Sequence, residues 1–254
     1  MIRYKLYLHY LRLKHIRGNK NKVNFLNRNW DYAIVLDACR YDTFKELYES
    51  DRYKDIGIYG KLSKMISPAS HTIDWIKYCM KEEHKDMILL TTSPHFDPSR
   101  LKKYKVKNCF YKIKHLWKNY YNEKLGVVHP ESMIDAFNIT KMRYPDKRII
   151  LWFMQPHRPY IINKEKSWTD YHKLKDTNAE EINYEDIEKS YEAYVDNLYL
   201  VMKVIKNIIP KMKGKVIITS DHGNLFGKYN VFLHPRMLRV PELVEVPYLE
   251  VDNN

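Results

Sequence analysis

The chain has 254 residues, 44% of them hydrophobic, with 44 Lys and Arg against 31 Asp and Glu for a formal net charge of +13. That apolar share excludes a largely disordered chain, and no apolar run approaches the ~20 residues that span a bilayer. A basic balance favours anionic partners. The lysines, however, are spread along the chain without a helix-turn-helix, zinc-finger or RNA-binding aromatic signature, so a nucleic-acid module is not expected.

Residues 1–28 read as a basic extension. Ile2, Leu6, Leu8, Tyr10, Leu11, Leu13 and Ile16 are spaced roughly as in an amphipathic helix, among Arg, Lys and His. Such a helix is expected to pack against the sheet, with an anionic membrane surface as its other seat. The segment lacks the continuous apolar core of a signal peptide. Tyr32–Leu36 reads as a buried strand that stops at Asp37. That acid is either a site residue or the N-cap of the helix opening at Arg40-Tyr41-Asp42, where Asp42 suits the first turn. Gly60–Ile66 is the next strand. Ser67-Pro68-Ala69-Ser70-His71-Thr72 then leads into a helix whose Ile73, Ile76 and Met80 share one face, with Ser70 or Thr72 as its cap. Met87–Thr91 is an apolar strand followed by Ser93-Pro94-His95, and 106–113 a further short one. A helix runs from His129-Pro130-Glu131 to about Tyr144.

Arg148–Met154 is the strongest strand signal and ends in Gln155-Pro156-His157-Arg158-Pro159-Tyr160. A polar excursion fills Ile161–Asn183, and a long helix runs from Tyr184 to Ile209, closed by Pro210. Lys215–Thr219 is a strand that ends in Ser220-Asp221-His222-Gly223, where Gly223 is expected to allow a sharp turn. After the loop holding His234-Pro235, Val246–Val251 is a last short strand. Strands alternating with helices, without a Gly/Ser linker, predict one α/β domain over 1–254: a mostly parallel central sheet with helices on both faces. Cys39, Cys79 and Cys109 form no CxxC pair and predict free thiols in a reducing, cytoplasmic setting.

The polar motifs all fall just beyond strands, where open α/β sheets bind ligands. Asp and His side by side after a buried strand offer one hard oxygen and one borderline nitrogen to a divalent metal. A second acid, Asp37, ends another strand at the same edge. The hydroxyls of Ser70 and Thr72 open a helix, whose free N–H groups suit an oxyanion. A hydroxyl that also touches a metal becomes a nucleophile. His71 and His95 are read as bystanders.

Four segments in this order resemble the alkaline phosphatase and sulfatase superfamily, in particular its compact sulfatase-like members. They are Ile34-Val35-Leu36-Asp37-Ala38-Cys39-Arg40-Tyr41-Asp42, Ser67 to Trp75, Met154 to Tyr160, and Ile218 to Gly223 with His234-Pro235. The resemblance implies an alkaline phosphatase-like fold and a metal held by Asp37, Thr72, Asp221 and His222. It makes Thr72 the nucleophile, with Ser70 as the other candidate, and sets His157 and His234 facing the transferred phosphoryl group or a second metal. Arg158 and Ser70 are placed as substrate contacts. Three departures matter. No cysteine, nor Thr72, lies in the Cys/Ser-x-Pro-x-Arg context of formylglycine sulfatases. Gln155 stands where bimetal phosphatases carry Asp, so one metal is expected and a second site stays open. Asn224 replaces a Glu frequent in transferase relatives.

The resulting expectation is a metal-dependent hydrolase of phosphate esters, ahead of sulfate esters, acting through a covalent threonine. The alternatives are a transferase of a phosphoryl group or phospho-headgroup onto a glycan or lipid, and a non-catalytic relative. The His ligand favours Zn or Mn over Mg or Ca.

Overall fold

The computed structural model describes residues 2–16, 21–162 and 184–253. One seven-stranded sheet collects β1 (Tyr32–Leu36), β2 (Lys61–Ile66), β3 (His84–Thr91), β4 (Phe110–His115), β5 (Arg148–Phe153), β6 (Gly214–Thr219) and β7 (Glu245–Asn253) in the order β2-β7-β6-β1-β5-β3-β4. β4, β3, β5, β1 and β6 pair in parallel, and β7 alone runs antiparallel, inserted between β6 and β2. The mostly parallel sheet is therefore as expected, and the C-terminal strand supplies its one reversal.

Burial on both faces explains the apolar runs. Along β1, Ile34 and Leu36 face a layer made by Phe44 and Leu47 of α2 (Tyr41–Glu49), Phe137 of the helix Ser132–Arg143 and Leu198, Met202 and Ile205 of the helix Tyr184–Lys206. Ala33 and Val35 face the opposite layer, which holds Trp75 and Ile76 of α3 (Thr72–Cys79) and Leu101 of α4 (Pro98–Tyr104). A strand covered on both sides has no polar position to alternate with. The helix Ser132–Arg143 is α5 and Tyr184–Lys206 is α6.

Three local expectations shift. The strand placed at 106–113 starts at Phe110, because Lys105 closes α4 in the left-handed region (φ 59°) and the chain needs several residues to leave that cap. α5 starts at Ser132, with His129-Pro130-Glu131 forming the preceding turn. The N-terminal helix α1 (Ile2–Lys14) packs beyond the strand ends rather than over a sheet face, meeting the sheet's edge at Ile66, the last residue of β2. Its Leu11 is buried instead among Leu225, Val231, Leu238, Val240, Leu243 and Val244, the loops beyond the strand ends. Beyond Ile162, the polar excursion lies outside the described residues.

Candidate active site

Two adjacent strands deliver the acids. β1 and β6 pair with Val35 opposite Thr219, so the same register brings Asp37 abreast of Asp221 just past the strand ends. The turn that follows is held from several sides. The Asp37 amide donates to Phe153 O (3.0 Å), its carbonyl accepts from the His157 amide (3.1 Å), and the Ala38 amide donates to Asp221 Oδ1 (3.2 Å). Ala38 sits at φ 61°, an uncommon place for a residue with a Cβ. The Tyr194 hydroxyl, donating to Ala38 O (2.8 Å), and Ser220 Oγ, accepting from the Cys39 amide (2.9 Å), keep it there. Asp37 does not cap α2: Arg40 occupies that position, with its guanidinium on Asp42.

Asp37, Thr72, Asp221 and His222 are brought together, all buried. His222 Nε2 lies 3.8 Å from Asp37 Oδ1, 3.4 Å from Asp221 Oδ2 and 3.1 Å from Thr72 Oγ1. The other ring nitrogen, Nδ1, is 2.8 Å from Gly223 O. A carbonyl can only accept, so Nδ1 carries the proton and Nε2 turns its lone pair towards the two acids. Burial holds the His222 pKa well below its usual value, helped by the nearby His71, and keeps the ring neutral. Burial first, then the Asp221 charge, raises Asp37 well above the carboxylate range. Burial likewise pushes Asp221 up to about 7. Asp221 Oδ2 has no hydrogen-bond partner. Two buried carboxylates and an imidazole lone pair converging on one point, with an orphaned oxygen among them, lack a positive charge. The three donor atoms lie within 4.8 Å of one another. This oxygen-and-nitrogen set fits a divalent cation such as Zn or Mn.

Gly223 has a different role from the one expected. Its φ is not in the left-handed region. A Cβ there would strike the Glu242 carbonyl, because the segment 241–244 crosses directly over it and the Gly223 amide donates to Leu243 O (3.0 Å). The glycine is required for close approach rather than for the turn.

A second group of imidazoles faces the acids. His157 Nε2 and His234 Nε2 are 2.9 Å apart, and His157 Nδ1 donates to Arg158 O. His157 Nε2 is thereby the acceptor and His234 Nε2 the donor. The His234 ring is centred 4.5 Å from that of His222 and 4.9 Å from that of His71. His71 also caps α3, the place expected for Ser70 or Thr72: its Nδ1 accepts from the Ile73 amide (3.1 Å). Ser70 cannot cap because its hydroxyl donates to Pro235 O (2.9 Å), tying the start of α3 to the loop that carries His234. His95, hydrogen-bonded through Nδ1 to the Tyr104 hydroxyl at 2.9 Å, stands 6.1 Å from His71, ring centre to ring centre. Burial lowers His95 to about 3 and His157 to about 4, and lowers His234 well below its usual value.

His71 and His95, set aside on sequence, thus join the cluster. The signal for both was present: each lies in a Ser-containing loop that leaves a strand at the edge where Asp37 and Asp221 stand. Arg158 lines a separate small cavity with Tyr160, Asn224 and Phe226.

No protein-family model matches the chain, and no curated protein matches its sequence. Its backbone does match solved structures. The soluble domain of lipooligosaccharide phosphoethanolamine transferase A from Neisseria meningitidis superposes with a TM-score of 0.56 at 14% identity, over 87% of this chain and 76% of that one. The C-terminal periplasmic domain of EptC from Escherichia coli, in complex with Zn, gives 0.58 at 12% identity, over 91% and 75%. The fold is alkaline phosphatase-like. Against the integral membrane form of the Neisseria transferase the TM-score is 0.58 at 13% identity; the match covers 96% of this chain and 53% of that protein, so the chain spans about half its length. Within the alkaline phosphatase-like fold, the acids of β1 and β6 and the hydroxyl opening α3 meet at the carboxyl edge of the sheet.

Proposed function

We propose that the chain is a metal-dependent transferase that moves a phosphate-bearing group through a covalent intermediate on Thr72. The observation that carries this reading is Thr72 Oγ1 at 3.1 Å from His222 Nε2, beside two buried carboxylates at the mouth of a sheet. The preference for transfer over hydrolysis, the reverse of the order expected first, rests on the likeness to solved structures described as phosphoethanolamine transferases. Asp37, Asp221, His222 and Thr72 would hold the cation, with Zn ahead of Mn because a Zn complex is among the similar structures. Bound there, a divalent cation would lower the pKa of the threonine hydroxyl and offset charge on the phosphoryl oxygens.

The chain's own groups divide the remaining work. Thr72 Oγ1 attacks phosphorus, losing its proton to solvent, while the bond to the leaving oxygen breaks. His234 Nε2–H, held beside His157 Nε2, stands ready to donate a hydrogen bond to that oxygen, which takes its proton from solvent. An acceptor alcohol then attacks the phosphothreonine, giving its proton to solvent as the bond to Thr72 Oγ1 breaks, and Thr72 Oγ1 takes a proton back from solvent. The N-terminus of α3 adds a favourable end for the anionic group. All three thiols are buried and so report nothing about the surrounding redox state.

The test is intact-mass spectrometry of acid-quenched, metal-loaded protein mixed with phosphatidylethanolamine or an aryl phosphate. A transferase accumulates an adduct that an added sugar alcohol discharges, and Thr72→Ala forms none. Fast discharge by water alone would restore the hydrolase reading. An adduct of equal yield in Thr72→Ala would sink the assigned nucleophile, and absence of any adduct in metal-loaded protein would favour a non-catalytic relative.

A further inference from the structure

Helix α1 is apolar on two faces. One face, centred on Leu11 with Leu8 beside it, is packed against the loops that carry Leu225, Leu238 and Leu243. On the opposite side, Leu6, Tyr10 and Leu13 are 65%, 56% and 55% exposed, and Ile16, just past the helix end, is 66% exposed. Their i, i+4, i+7 spacing aligns the first three in one stripe. By the same helical phase Arg3 and Lys14 border the stripe on one side, and Lys5 and Arg12 on the other. The helix contains no Asp or Glu. Water does not account for large apolar side chains on an outward face; a contiguous stripe of them, rimmed by polar groups, marks an interaction surface. Basic borders around such a stripe suit a bilayer, where Lys and Arg stems lie along the apolar boundary and their heads meet anionic lipid.

The stripe leads into a cleft of about 380 Å³ lined by Arg12, Leu13, Ile16, Lys22, Met237 and Arg239, with Met237 73% exposed. Its far wall is Pro68-Ala69-Ser70, two residues ahead of Thr72. Arg239 donates to the carbonyls of Ser67 and Pro68, and its buried Nε has no partner. Among the described residues, no carboxylate pairs with Arg12, Lys22 or Arg239. Asp74 also lines the cleft, but its carboxylate is paired with Arg236, so the cleft combines apolar walls with three cations that face no carboxylate partner of their own.

We propose that α1 seats the protein on an anionic bilayer, with Leu6, Tyr10, Leu13, Ile16 and Met237 entering the headgroup boundary and Arg12, Lys22 and Arg239 holding a lipid phosphate in the cleft walled by Pro68-Ala69-Ser70. A second copy of the chain is the poorer occupant. Two copies meeting through α1 would bring together two all-basic helices from chains of net charge +13. The proposal stands apart from the chemistry at Thr72, and its test needs no turnover.

The experiment is co-sedimentation of the full chain with vesicles of phosphatidylcholine alone, or with about a third phosphatidylglycerol to give an anionic surface. Binding to the anionic vesicles at least about 10-fold tighter than to the neutral ones is expected, because both apolar area and charge contribute. Leu13→Asp should weaken it by about 10-fold or more, and Lys22→Glu should reduce the anionic preference. Both side chains are exposed, so an unchanged circular dichroism spectrum and unfolding midpoint confirm that the variants fold. Failure to bind anionic vesicles, or binding unaltered by Leu13→Asp, overturns the proposal. So does a wild-type dimer in sedimentation velocity that Leu13→Asp converts to monomer, which would assign the stripe to a second copy.

Discussion

The two halves of the site are both buried and both rich in titratable groups, yet they are built in opposite ways. Asp37 and Asp221 end adjacent strands whose register fixes their separation. His157 and His234 hang on loops, fixed by hydrogen bonds to each other and to a carbonyl. The acidic half lacks a positive charge: two carboxylates raised by burial face a neutral imidazole. The histidine half is made of neutral rings, several of them within reach of one another, and offers N–H donors without fixed charge. On the function proposed above, the strand-borne half takes the cation and the loop-borne half the anionic, exchanging group. Rigid strand ends suit a resident ion, whose ligands must converge at fixed distances. Loop-borne donors suit a group that arrives and leaves.

The sharpest way to break that division is Asp221→Asn. An amide keeps the shape of the carboxylate but removes its charge. Metal affinity should fall by at least about 100-fold, and turnover should fall with it, as read by elemental analysis of dialysed protein beside the assay. The variant should be no less stable than the metal-free parent, because a buried neutral amide replaces a carboxylate that burial disfavours. Retention of stoichiometric metal would move the cation seat away from the strand ends.

His234→Ala tests the other half. Metal content should stay at the wild-type level, because His234 is not in the Asp37–Asp221–His222 group. Turnover should fall by about 10²- to 10³-fold, the usual worth of one positioned hydrogen-bond donor to developing negative charge. Loss of metal together with turnover would mean that the two halves hold one ion cluster between them.

Much of the strand-borne half was legible in the sequence because a short apolar run that stops at an acid states both burial and position. Tyr32–Leu36 before Asp37 and Lys215–Thr219 before Asp221 each do so, and the Ser67–Thr72 segment announced a helix start by its hydroxyls. What could not be read was pairing. Nothing local says that β6 lies next to β1, or that β7 inserts antiparallel between β6 and β2; these are long-range choices. The role of Gly223 was missed for the same reason, since the backbone it must clear belongs to Glu242. His71 was missed because imidazole is an uncommon helix cap beside Ser and Thr, and Ser70 was drawn away by Pro235. α1 misled in another way. A helix with apolar residues on opposite faces reads as amphipathic in composition, but its second face finds no place on the sheet.

The smallest and most general contrast between the halves is in their pH dependence, where they act with opposite sign. Asp37 and Asp221 have folded-state pKa values raised above 3.8, to about 7 for Asp221. In metal-free protein the folded state holds those protons longer, so their contribution to stability is lost as pH rises towards and through 7. His95, His157, His222 and His234 have folded values below 6.5, and His84 and His115, away from the site, shift the same way. For these the unfolded state takes up the proton first, so stability is lost as pH falls below 6.5. Between pH 4 and 6.5 the histidines outnumber the acids, and each unbalanced proton contributes up to about 1.4 kcal/mol per pH unit. Metal-free protein should therefore be most stable near pH 6.5, with its melting temperature falling steeply on the acid side and more gently on the alkaline side. Saturating Zn should remove the alkaline decline, because carboxylates that hold a cation no longer favour their protonated form, while the acid decline remains. Melting curves across this range, with chelator and with Zn, measure both limbs. An alkaline decline that persists unchanged with Zn would separate the carboxylate pair from the metal and undo the division of the site into a cation half and an anion half.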